Sequence, residues 1–358
     1  MSVKILDEDW TGMQKQLTEV ADRIETNVLG RLMHGQRELF HSNLLGWFFD
    51  ALPEAADAVF RPFTSEGSVT ERTMRRESNN LDLVMTWPGR TPLVIENKVF
   101  SVPSLPQLEK YERKAERWDQ RPSLMLLSTV PPGFHSGGWK HVSYKELGER
   151  ILDALPDNMS YEVETMRHYA QLALDLDFLM DQIGVTSDHE DVHISDSELS
   201  AIHSSQVRKA LQKTRAELVR QHIGRALPSI AATLFSDMAH GEPLVASLSK
   251  ASIDGLTLYV GWQYQGGKFS RGVAFGETDL NGRGEELRLR RFDVCRAHPE
   301  LFSFPDVLPV RSHQGRNEFD SYAPNYVYQK VPARELTVGQ LIEAAVAVHQ
   351  SLEPLFDN

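Results

Sequence analysis

The chain has 358 residues, 41% of them hydrophobic and 25% charged, with a formal net charge of −12. No stretch approaches the roughly 20 apolar residues a membrane span needs, and a single cysteine, Cys295, excludes an internal disulfide and a multi-cysteine zinc site. The N-terminal run from Met1 to Trp10 is acidic and lacks an apolar signal region, so no targeting segment and no membrane association are expected, and a reducing cytoplasm is the simplest location. The acid is unevenly placed: residues 151–200 carry 12 acids and 1 base, whereas residues 201–358 sit at +1. A polyanionic substrate in a local basic groove is compatible with that distribution, while tight coating of DNA by the whole surface is not.

At about 100–200 residues per domain, this length predicts two domains. Trp10, Met13, Leu17, Val20, Ile24 and Val28 recur at helical steps and predict a helix over 8–30. A second helix is predicted over 36–51, with Pro53 just past its end. Residues 68–77 form a weak first strand. Leu81 to Trp87 and Leu93 to Val99 are stronger strands, joined by a turn on Pro88-Gly89. A helix over 105–118, strands at 123–130 and 141–144, and helices at 145–155 and 161–182 follow. Residues 186–197 are polar, acidic and aperiodic and read as a linker. Beyond it the pattern predicts helix over 198–226, continuing through 227–239. Strands are expected at 255–263, 268–275, 286–294 and 324–331, and a helix at 336–350.

The chemistry concentrates on the two strong strands. Alternate side chains of a strand share a face, so Glu96 and Lys98 project together and Asn97 projects away. An antiparallel hairpin through the short turn sets Asp82 beside Glu96. Two carboxylates and an ammonium then meet at one hairpin end. That set suits phosphodiester hydrolysis, because Mg²⁺ takes hard oxygen ligands and keeps room for a substrate phosphate and water.

Asp82 on an apolar strand, followed by Glu96-Asn97-Lys98 on the next, resembles the PD-(D/E)XK nuclease superfamily. The helix, three strands, helix, strand order is similar to that family's core. Gln107 and Tyr111, at i and i+4 on the following helix, resemble the Q-x-x-x-Y helix of the RecB-like branch. Upstream, Glu38-Leu39-Phe40-His41-Ser42 resembles a Glu-x-x-His-Ser first helix. The resemblance spans about residues 36–150. Leu81 stands where the family's namesake proline would be.

The resemblance implies an α/β fold with a restriction-endonuclease-like core, a mixed central sheet flanked by helices; the helices and strands predicted beyond the linker add a C-terminal α+β extension. Residues 1–185 would form the nuclease-like domain with its N-terminal helices, 186–197 the acidic linker, and 198–358 an α+β domain of unknown role, open to substrate or partner binding. It implies catalytic roles for Asp82, Glu96, Lys98, Gln107 and Tyr111. It also implies a Mg²⁺ or Mn²⁺ cofactor on Asp82 and Glu96, with Glu38 facing the metals. The expected substrate is nucleic acid, with DNA favoured, and the expected setting is phage defence or repair. A homodimer or a protein partner is expected through the C-terminal half. The alternative is a catalytically inactive binding subunit of a larger assembly.

Other residues carry blander expectations. His41 is expected to pack or cap, and His189 and His193 to lie in solvated loop. Glu77 is a candidate additional ligand. Lys110, Arg113, Lys114 and Arg117 alternate with glutamates and read as a solvated face. The stripe Arg208, Lys209, Lys213, Arg215, Arg220 and Arg225 is less compensated and is a candidate contact for nucleic acid or a partner. Arg72, Arg75 and Arg76 are expected near the cleft, and Cys295 in a core.

Overall fold

Four helices open the chain where apolar residues recur at helical spacing: α1 (Val3–Thr26), α2 (Val28–Met33), α3 (Arg37–Ala51) and α4 (Pro53–Phe60). Pro53 does more than stop α3. Its missing N–H and fixed φ suit a first helical turn, and it starts α4. Then come β1 (Thr73–Ser78), β2 (Leu81–Thr86), β3 (Leu93–Lys98), α5 (Leu105–Ala115), β4 (Ser123–Ser128), β5 (Trp139–Ser143), α6 (Tyr144–Ala154) and α7 (Tyr161–Gln182). This computed structural model describes residues 3–33, 37–64, 72–78, 81–194, 199–308, 318–322 and 324–355. They divide into two units, Met1–Gly184 with Asp196–Leu211 and Val185–Ser195 with Gln212–Asn358.

The first unit is built on a mixed sheet of order β1-β2-β3-β4-β5. Pairing is antiparallel from β1 to β3 and parallel from β3 to β5. β3 is central and all six of its residues are buried, as an apolar strand covered on both faces should be. One face packs Val84, Val94, Leu124 and Leu126 against Leu108, Tyr111 and Ala115 of α5. On the other, α3 crosses β1, β2 and β3. Ser143 and Ser160 cap α6 and α7, accepting from the backbone N–H groups of Glu146 and Val163 at 3.0 and 3.3 Å.

Helices α6 and α7 approach closely at Gly148, where an added Cβ would lie 2.8 Å from the Ala170 carbonyl oxygen and 3.1 Å from the Leu174 side chain. Gly148→Val is therefore expected to destabilise the protein by about 1–3 kcal/mol through overpacking. Chemical denaturation checks this, and an unchanged midpoint contradicts it.

The second unit holds the later part of α8 (Ser205–Ala226), β6 (Leu234–Ala239), β7 (Glu242–Ile253), β8 (Leu256–Gln265), β9 (Lys268–Ala274), α9 (Glu285–Ala297), β10 (Asp320–Tyr322), β11 (Tyr326–Pro332) and α10 (Val338–Leu352). Its sheet runs β10-β11-β9-β8-β7-β6 and is antiparallel throughout. Three successive two-residue turns make the meander: His240-Gly241, Asp254-Gly255 and Gly266-Gly267. All six residues have positive φ, the backbone that matches hairpin twist. The core gathers Trp262, Phe269 and Val273 of the sheet with Val219 and Ile223 of α8 and Leu341 and Val348 of α10.

Several expectations are corrected here. Residues 227–239 are not helix: a short 3₁₀ turn at Pro228–Ile230 precedes β6. Residues 286–294 are helical, within α9, with Glu285 and Glu286 favourably placed in its first turn. The expected linker is not a free tether. The Val192 N–H donates to the Leu336 carbonyl at 2.9 Å, and the Val338 and Gly339 N–H groups donate to Glu190 and Asp188 at 2.8 Å each. Residues 195–198, the end of that segment, lie outside the described residues. Among the described residues, no helix is long and apolar enough to cross a membrane.

Candidate active site

The site forms where the β2–β3 ladder ends. The last paired residues are Leu83 and Ile95, so Asp82 and Glu96 occupy the next step on the face that α5 covers. There the Asp82 side chain takes over from the backbone, and its Oδ2 accepts from the Asn97 N–H at 2.8 Å. Glu96 and Lys98 are both buried, with relative exposures of 1% and 9%. Lys98 Nζ lies 2.8 Å from Glu96 Oε1. Gln107 Nε2, from α5, donates to the same oxygen at 2.8 Å and also to the Tyr111 hydroxyl at 3.0 Å. The i, i+4 spacing of Gln107 and Tyr111 thus places one amide against both partners.

Glu96 Oε1 takes both donors, while Glu96 Oε2 is buried without a hydrogen-bond partner. A buried carboxylate oxygen in that state is expensive unless a cation or donor completes it. Burial pushes the Glu96 carboxyl up to about 7; Asp82 and Glu38 add to the rise and Lys98 opposes it. For Lys98, burial acts to lower the ammonium, but Glu96, Glu38 and Asp82 outweigh it and the net direction is up. Three carboxylates therefore act on one ammonium.

Glu38 approaches from α3, and its Oε1 accepts a hydrogen bond from the Ser101 hydroxyl. Among the described residues, no three His, Cys, Asp or Glu side chains are grouped as a ready metal cage. Mg²⁺ has no need of one, since it commonly uses one or two carboxylates and completes its shell with water and substrate phosphate. The orphaned Glu96 oxygen and the surplus of negative charge fit such an ion.

Asn97, which strand alternation turns away from Glu96 and Lys98, is the residue that alternation undervalues. It is 1% exposed on the α3 face. Its Nδ2 donates to the Glu38 carbonyl at 3.0 Å, its Oδ1 accepts from the Tyr144 hydroxyl, and its N–H holds Asp82. One side chain thereby ties α3, α6 and β3 together behind the site. An amide in a buried central strand had to have such partners, and that was the available signal; Tyr144 and Ser101 carried none. Asn97→Leu keeps the backbone N–H that holds Asp82 but is expected to cost about 1–3 kcal/mol for each of the two buried groups, the Glu38 carbonyl and the Tyr144 hydroxyl, left unsatisfied. The denaturation midpoint should fall, and an unchanged midpoint would contradict this role.

His41 packs as expected. It is fully buried, with Nδ1 3.2 Å from the Tyr169 hydroxyl, Nε2 3.3 Å from Met33 Sδ, and its ring edge-on to Tyr144 at 5.1 Å. Burial lowers its pKa to about 3. The unfolded chain, with a histidine near 6.5, therefore binds a proton that the folded chain refuses. Stability is full above about pH 6.5 and falls by roughly 1.4 kcal/mol per pH unit below it, down to about pH 3. Equilibrium unfolding at pH 7.0, 6.0 and 5.0 should show this slope, and His41→Gln should flatten it; parallel slopes would refute the assignment.

The remaining residues divide. Arg72 is not at the site: it lies at the far end of β2, beside Thr73↔Thr86, with its guanidinium 5.0 Å from the Phe49 ring centroid. Arg76 donates to Asn43 of α3. Arg75 is exposed and pairs with Val84, on the same sheet face as Asp82. The Glu77 side chain lies outside the described residues.

On α5, Arg113 lies 3.9 Å from Glu109 and Lys114 5.6 Å from the Tyr111 ring centroid. Three of the six basic residues of the α8 stripe are engaged internally. Arg208 donates to the Ile202 carbonyl at 2.6 Å, Arg215 pairs with Glu190 at 3.0 Å and Arg220 with Glu217 at 2.7 Å. His189 is exposed, and Cys295 is fully buried with its thiol pushed up to about 12 by burial.

Fold and site together define a mixed α/β sheet flanked by helices, with a carboxylate–lysine cluster at the end of its central hairpin. Compared with protein-family models, curated proteins and solved structures, the chain matches none.

Proposed function

We propose that the first unit is a divalent-metal-dependent nuclease with a restriction-endonuclease-like core. The observation that carries this reading is Glu96: one oxygen is held by Lys98 and Gln107, and the other is buried and unpartnered beside Asp82. Asp82 and Glu96 would hold Mg²⁺ or Mn²⁺, with Glu38 adding negative charge from α3. When bound, the ion supplies a Lewis acid for a phosphoryl oxygen and a lowered pKa for a coordinated water.

The chain's own residues do the rest. Lys98, kept protonated by the surrounding carboxylates, acts as a fixed cation that steadies charge developing on the phosphate or orients the attacking water; it is not set up as a base. Gln107 fixes the rotamer of Glu96, and Tyr111 fixes Gln107. Asn97 fixes Asp82. Arg75, exposed on the same sheet face, is available to a substrate phosphate.

DNA is the favoured polymer. The test is incubation of labelled single-stranded DNA, duplex DNA and RNA with the protein in Mg²⁺ or Mn²⁺. Divalent-dependent cleavage stopped by EDTA is the expected result, and it names the polymer. Intact substrates in every arm would count against the reading.

A further inference from the structure

The meander of the second unit has one face packed and one face open. On the open face Gln263 and Gln265 of β8, Lys268 and Ser270 of β9, and Tyr328 and Lys330 of β11 line a groove of about 850 Å³. Gly261 of β8 lies opposite Gly272 of β9. The Tyr326 ring lies over Gly272, where a Cβ would collide with it.

Tyr326 and Tyr328 are stacked, with centroids 5.4 Å apart and planes at 20°. Tyr322, 54% exposed, meets His240 edge-on at 5.0 Å at the rim. Lys330 sits 5.5 Å from the Tyr328 centroid and pairs with Asp320 at 2.8 Å. Lys268 and Arg334, both exposed, have no ion pair among the described residues. Glu242 is the one carboxylate among the described lining residues.

A groove that is aromatic, cationic and rich in amides, on a chain of net charge −12, has a specific complement. Stacked tyrosines offer faces to planar rings, lysine and arginine offer charge to phosphates, and glutamines offer paired donor and acceptor to base edges. We propose that this face of the second unit binds single-stranded nucleic acid, with bases against Tyr322 and Tyr328 and the backbone along Lys268 and Arg334. Sequence-tolerant strand binding by aromatic platforms in basic grooves follows the same physics. A duplex buries its ring faces in its own stack and cannot use the tyrosines. The proposal stands on the groove alone and is independent of the nuclease reading.

The experiment is fluorescence anisotropy of labelled oligo(dT), oligo(rU) and a DNA duplex, titrated with full-length protein in EDTA, so that divalent-dependent cleavage cannot intervene. Single strands should bind more tightly than the duplex. Tyr328→Ala should weaken them by about tenfold or more. Lys268→Ala and Arg334→Ala should each lower the salt slope by about 0.7. Thermal melting of each variant checks that the substitutions, at exposed Lys268 and Arg334 and half-buried Tyr328, leave the fold intact. Two results overturn the proposal: no binding of either single strand at protein concentrations of about 100 μM, or binding that Tyr328→Ala leaves unchanged and that heparin or duplex matches.

Discussion

Lys98→Ala is expected to lower Mn²⁺-dependent cleavage by about 10³-fold, the range seen when one preorganised charge is removed from a transition state. The melting temperature should move little. Lys98 is buried beside Glu96, and removing a buried cation often strands its partner. Here the Glu96 carboxyl is already pushed up to about 7 by burial and Asp82, so it can take a proton when Lys98 is lost instead of remaining as a buried anion. Loss of rate with retention of fold is therefore the signature of a functional lysine at this site. Single-turnover cleavage alongside thermal melting measures both. If the variant unfolds, or cuts at the wild-type rate, the role given to Lys98 is wrong.

The largest effect on stability is expected at Arg90. Its guanidinium pairs with Asp57 of α4, each side chain 6% exposed. Arg61 is a second partner for Asp57 at 3.4 Å but is itself 65% exposed and screened by solvent. Arg90→Met leaves a buried carboxylate with only that weak support and the more distant charge of Arg72, and should cost about 3–5 kcal/mol, or roughly 10 °C in melting temperature for a unit of this size. Asp57→Leu with Arg90→Met should recover most of the loss, because no charge remains buried and unpaired. Denaturation of the three proteins gives the coupling directly. An Arg90→Met midpoint equal to wild type would show that the pair contributes nothing.

The parts of the structure legible in the sequence are those whose local pattern and tertiary role agree. Residues 161–182 were read as one helix and form α7 over Tyr161–Gln182. The strands carrying Asp82 and Glu96 are apolar runs around a Pro-Gly turn, and the antiparallel register follows. In the second unit the strands near 256–265, 268–274 and 326–332 and the last helix follow the pattern, but elsewhere the local pattern misleads. Leu287-Arg288-Leu289-Arg290 alternates like a strand, yet it lies in α9, where burial falls on Arg291, Phe292 and Cys295. β6 lies where the pattern predicts helix and β7 where it predicts no strand, although His240-Gly241 and Asp254-Gly255 are hairpin-turn dipeptides at their ends.

The site was legible in its charged members and illegible in its supports. Acidic and basic residues on an apolar strand announce themselves, as Glu96 and Lys98 do. Asn97, Ser101 and Tyr144 work by reaching across from other elements, and neither spacing nor composition reports that reach. The same holds for the acidic segment at 186–197. Its aperiodicity suggests a tether, but its backbone is used in pairing with residues 336–339.

The most direct test of the central claim is Mn²⁺ binding, followed by electron paramagnetic resonance, to the wild-type protein and to Asp82→Asn with Glu96→Gln. The account predicts a saturable site in the wild type that the double variant lacks. Equal Mn²⁺ binding by the two proteins, or none by either, would contradict a metal held by Asp82 and Glu96.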